Sequence, residues 1–150
     1  MPPRVDSFSL TDWVFWMVRD ILESGDWKIN ICYTYVNMRN ENSVALPKAL
    51  NKTEMARRKY VQLDAFVDED KNVICIDARA KDRALCLFHE CLEILFSDWK
   101  DSYFVPRRWG ITNDDDSIRP LEDATWAHLS EEQQEAVASF LPKIKEEQEE

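Results

Sequence analysis

One histidine and two glutamates stand inside an otherwise apolar stretch, Ala84 to Phe96, which reads ALCLFHECLEILF. Ten of its thirteen residues are apolar or thiol-bearing. The stretch therefore suits a buried helix and falls short of the about 20 apolar residues that a bilayer crossing takes. An ionised carboxylate buried without a partner is so unfavourable that such groups are normally paired, metal-bound or protonated. At about 100° per residue, Cys86, His89, Glu90, Glu93 and Ser97 share roughly a quarter-turn of a helix. His89 and Glu93, four residues apart, can point at one ion, and Glu90 beside them is free to handle a proton. This is the pattern of a metal-activated water site.

Catalytic zinc typically takes three protein ligands and leaves one position for water. The chain has only two histidines, His89 and His128. His128 and the nearby Glu131 and Glu132 are candidates for the third ligand, and the spacing does not choose among them. In such a site His89 and Glu93 bind the cation, the cation makes its water acidic, and Glu90 takes the proton and passes it to a leaving amine. Two plainer readings stand beside this one: a His–Glu pair that hydrogen-bonds within the core, and a metal site without catalysis. A thiolate site is disfavoured, because Cys91 points about 140° away from Cys86 on a helix.

Positioning these residues requires a scaffold, and the pattern predicts an α+β one. Val14, Met17, Val18, Ile21 and Leu22 follow helical spacing, with Ser9 or Thr11 as N-cap and Gly25 as the stop near Ser24. Lys28 to Asn37 alternates with period two and reads as a strand with one buried side. Met38 to Leu46 reads as loop, and Pro47 to Arg58 as room for a short helix starting at Pro47 or capped by Thr53. Tyr60 to Val67 and Asn72 to Ala78 read as strands joined across Asp68 to Lys71. A small antiparallel or mixed sheet of at least three strands is thus expected on the central helix, which Asp77 or Asp82 caps. Ser97 to Arg119 lacks periodicity and is expected to be a loop forming a wall of the site. The last helix is expected from Pro120 or Ser130, where Ser130 and Gln133 make a capping box. Residues 1–8 and 143–150 are expected to be disordered arms.

Length and composition bound the function. A chain of 150 residues suits one domain with a core of its own. With 29 acidic against 19 basic residues and a net charge of −10, binding to nucleic acid or to anionic membranes is disfavoured, since clustered Lys and Arg drive both. Cys32, Cys75, Cys86 and Cys91 lie in hydrophobic segments without CxxC spacing, which fits free thiols in a reducing compartment. With no apolar leader at the start of the sequence, a cytoplasmic protein is expected.

The order of strand, hairpin, the helix Leu87-Phe88-His89-Glu90-Cys91-Leu92-Glu93-Ile94-Leu95 and a Leu129-Ser130-Glu131-Glu132 helix resembles the small zincin-like metallopeptidases of minimal gluzincin type. The resemblance covers Lys28 to Leu141, and its specific part is the short HE motif. It implies zinc or another divalent transition metal, with His89 as first ligand, Glu90 as base and Glu131 or Glu132 as third ligand. It also implies a peptide or protein substrate, or, if catalysis has been lost, a binding or regulatory role of the kind such chains have in phages and mobile elements. The departure is position 93, where Glu replaces the second histidine of HExxH. An anionic ligand there makes the site harder, less zinc-selective and less Lewis-acidic.

Overall fold

Period-two alternation makes Lys28–Asn37 the ten-residue strand β1, and the sheet is assembled along it. The computed structural model describes residues 10–96 and 115–142. Its elements are α1 (Leu10–Glu23), β1, β2 (Ser43–Leu46), α2 (Lys52–Arg58), β3 (Tyr60–Gln62), β4 (Ala65–Asp68), β5 (Val73–Asp77), α3 (Arg83–Leu95), α4 (Asp115–Trp126) and α5 (Glu131–Ala138). The fold is α+β, with a mixed five-stranded sheet ordered β2-β1-β5-β4 and β3 also paired to β1. The first half of β1 runs parallel to β5, from Lys28 opposite Val73 to Cys32 opposite Asp77. Its second half pairs antiparallel with β2 and with β3. β4 pairs antiparallel with β5 and is the outermost strand on that side.

Three expectations change. Ser43 to Leu46 is a strand, not loop, because its backbone finds Tyr33 to Val36 as partner. Tyr60 to Val67 is two strands, broken at Leu63 and Asp64, since β3 pairs with β1 whereas β4 pairs with β5. The described part of the expected loop, from Asp115 onward, is the helix α4. Elsewhere α2 is capped by Asn51, whose side chain accepts from the Glu54 N–H, and the α5 capping box of Ser130 and Gln133 is present. Gly25, at φ +77°, takes the left-handed turn that closes α1. The arms 1–8 and 143–150 and residues 97–114 of the expected loop wall lie outside the described residues.

Ile29 and Ile31 of β1, Ala65 and Val67 of β4 and Ile74 and Ile76 of β5 turn one face of the sheet to the helices. There they meet Val14, Val18 and Ile21 of α1 and the buried side of α3, Leu87, Phe88, Cys91, Leu92, Ile94 and Leu95. The fully buried Val, Leu, Ile and Phe side chains among them each contribute roughly 1.5–3 kcal/mol. The helix α3 is the common contact, touching α1, α4, α5, β4 and β5. Among the described residues no helix is long and apolar enough to cross a membrane.

The β5 strand delivers α3, and its end is held by a buried charge. Asp77 is wholly buried. Its Oδ2 accepts from the Thr34 N–H at 2.9 Å and from Arg79 Nη2 at 2.9 Å, and its Oδ1 accepts from the Arg79 N–H at 2.8 Å and from Arg79 Nε at 2.9 Å. The Thr34 hydroxyl also lies 3.3 Å from Oδ2, but its single proton serves the Leu63 carbonyl at 2.6 Å. The guanidinium of Arg79 further covers the rings of Tyr33 and Tyr35. Asp82, not Asp77, caps α3, accepting from the Leu85 N–H at 3.0 Å.

Burial works to raise the Asp77 pKa, yet the hydrogen bonds from Arg79 and the Thr34 backbone outweigh it and hold the carboxyl below its ordinary 3.8. A depressed folded-state pKa contributes stability above the unfolded value and loses it as pH falls through the folded one. Asp77→Asn is therefore expected to cost about 3 kcal/mol at neutral pH, read by urea denaturation. The same variant is expected to flatten the fall in stability below about pH 4, and an unchanged acid limb counts against the clamp.

Candidate metal centre

Helical spacing brings His89, Glu90 and Glu93 of α3 onto one strip, as the sequence implied. His89 Nε2 lies 3.3 Å from Glu93 Oε2 and 3.9 Å from Glu90 Oε2. One donor atom from each of the three residues falls within 4.8 Å of the others. Glu90 is the most enclosed, at 4% exposure, with the His89 side chain at 14% and the Glu93 side chain at 27%. The strip thus grades from a buried carboxylate to one that water can reach.

The donor set fits a divalent cation. Two ligands each about 2.1 Å from one tetrahedral ion stand roughly 3.4 Å apart, close to the separation of His89 Nε2 and Glu93 Oε2. The imidazole of His89 and the carboxylate of Glu93 form a harder pair than the two imidazoles of an HExxH site.

A fourth residue, absent from the sequence reading, completes the arrangement. Glu122 Oε1 lies 2.6 Å from His89 Nδ1, on the side of the ring away from Glu93. It arrives on α4, whose inward face carries the buried Ile118, Leu121 and Thr125. Phe88 of α3 and Trp126 of α4 meet with ring centroids 5.1 Å apart, fixing the two helices beside this bond. Glu122 was detectable in principle, because it shares a helical face with Ile118, Leu121 and Thr125.

His128, Glu131 and Glu132 are placed elsewhere. All three are exposed, His128 after the end of α4 and the glutamates in the first turn of α5. None belongs to the group of converging donor atoms found among the described residues.

The four cysteines are free, none in a disulfide. Burial, reinforced by the charges of Asp64, Glu90, Asp82 and Glu122, pushes the Cys86 pKa up to about 12, and burial likewise raises that of Cys91. The metal-free thiol of Cys86 is therefore protonated at neutral pH.

Searches against protein-family models, curated proteins and solved structures find no match to this chain. The case for a metal rests on the donor geometry alone. In calorimetric titrations with zinc and with manganese, His89→Gln and Glu93→Gln are expected to abolish binding. His128→Gln, Glu131→Gln and Glu132→Gln are expected to bind like the unaltered protein. Loss of binding in any of the latter three would reinstate that residue as a ligand.

Proposed function

We propose that the protein is a metal-dependent hydrolase of peptide bonds, similar in plan to the zincin-like metallopeptidases. His89 and Glu93 hold a divalent transition metal, zinc in the first instance, and Glu90 is the general base. The convergence of the His89, Glu90 and Glu93 donor atoms on one strip of a buried helix carries this reading. A cation held there supplies Lewis acidity, polarising a carbonyl and making a water proton easier to remove.

Proton movement falls to Glu90. It stands farther from His89 Nε2 than Glu93 does, 3.9 Å against 3.3 Å, which leaves it for the proton while Glu93 takes the cation. Glu90 accepts a proton from the attacking water, whose oxygen bonds to the carbonyl carbon. The same proton then goes to the amide nitrogen as the C–N bond breaks. Glu90, at 4% exposure, is shielded from bulk water at this step.

The sheet supports a peptide substrate. β4 is an edge strand, and among the described residues no strand pairs with its far side. It also packs against α3. An extended peptide adding to that edge through backbone hydrogen bonds is brought alongside the helix that carries the site.

Two measurements test the reading. Protein purified without added metal is expected to contain a divalent transition metal by elemental analysis. Glu90→Gln is expected to retain that metal and to lose about 100-fold or more in kcat on a denatured protein substrate. A protein that is metal-free as purified and takes up neither zinc, cobalt nor manganese is instead a non-catalytic binding or regulatory protein.

A further inference from the structure

We propose that Glu122 is the positioning residue of His89: its carboxylate takes the Nδ1–H and thereby fixes the tautomer in which Nε2 presents a lone pair towards Glu93. The inference deepens the metal-hydrolase reading but is decided by a property of the imidazole that exists without metal. Three observations lead to it. The bond is short, 2.6 Å, as charge-assisted bonds are. Both partners are largely enclosed, with side chains 14% and 13% exposed, so water competes poorly for either. The two ring nitrogens also face different carboxylates, Nδ1 facing Glu122 and Nε2 facing Glu93.

A proton shared between an imidazole and a carboxylate belongs to the stronger base, the ring. With the proton on Nδ1, the neutral ring has its lone pair on Nε2, the nitrogen beside Glu93 and Glu90. The reverse arrangement, with a neutral Glu122 donating to Nδ1 and the ring proton on Nε2, would aim a donor where a ligand is needed. Glu122 therefore acts through His89 and touches neither substrate nor cation. A carboxylate behind a ligating histidine also increases its basicity, and removing such a partner typically weakens metal binding by about 10–100-fold.

The two histidines make the test direct. Ring nitrogens of histidine-labelled protein, stripped of metal and held at a pH where the imidazoles are neutral, are read by 15N NMR, with His128→Gln assigning the signals. Wild-type His89 is expected as the Nδ1–H tautomer. Glu122→Ala is expected to shift it to the Nε2–H form that predominates for free imidazole side chains. Glu122→Gln, whose amide oxygen still accepts, is expected to keep Nδ1–H. Zinc affinity is expected to fall about 10–100-fold in Glu122→Ala and less in Glu122→Gln.

A wild-type His89 protonated at Nε2, or an Nδ1–H form that survives in Glu122→Ala, overturns the proposal. The wild-type spectrum decides it even if the alanine variant fails to fold. A protein that binds no metal yet shows the Glu122-dependent tautomer overturns the hydrolase reading and leaves the positioning role standing.

Discussion

A helix that is apolar over most of its circumference has to be covered over most of its circumference, and that requirement organises this protein. Leu87, Phe88, Cys91, Leu92, Ile94 and Leu95 are each at most 1% exposed. Covering them takes the sheet on one side and α1, α4 and α5 around the rest. What remains is the narrow strip of Cys86, His89, Glu90 and Glu93. Because the neighbours that bury the apolar side also wall the strip, the polar groups sit in poor solvation without belonging to the core. Poor solvation strengthens each electrostatic interaction there and makes an unmatched charge costly. The site is therefore a by-product of the packing problem, and its donors are held by the same contacts that hold the fold.

Buried charge is handled in two ways along one stretch of chain. Asp77 is satisfied within the protein by N–H groups from Thr34 and Arg79, a closed set that leaves no place for a ligand. Twelve residues later His89 meets carboxylates on both of its nitrogens, from α3 and from α4. The first arrangement pins the end of β5 to β1 and so fixes where α3 begins. The second lies along that helix, with its Nε2 side gathered around three potential ligand atoms. The position of the site relative to the sheet is thus set by the clamp at Asp77, although Asp77 takes no part in the proposed chemistry.

The sequence disclosed what local periodicity encodes. α1, β1 and α3 were legible because each keeps one period over ten or more residues. β2 was not, nor was the break between β3 and β4, since β2 and β3 take their places through pairing with β1, a contact no local pattern records. The start of α4 was hidden because Asp115 to Arg119 lies in the aperiodic stretch read as loop, while Pro120, inside the helix, reads as a helix start. With α4 went Glu122, whose significance depends on Leu121 and Thr125 facing inward. The segment Leu129-Ser130-Glu131-Glu132 carried the opposite risk. Its acids stand in the first turn of α5, where a helix dipole favours them, and the capping box accounts for Ser130.

The glutamate at position 93 has a different consequence once Glu122 is placed. In the proposed centre the cation receives an anionic carboxylate from Glu93 and an imidazole made more basic by the carboxylate behind it. Both donors push electron density onto the cation and reduce the Lewis acidity left for water. Less acidic water leaves more of the proton transfer to the base, which in the proposed centre is Glu90. Glu90 is the least exposed carboxylate of the strip. In the proposed centre this donor pair therefore makes the cation a weaker Lewis acid and shifts more of the catalytic burden onto Glu90.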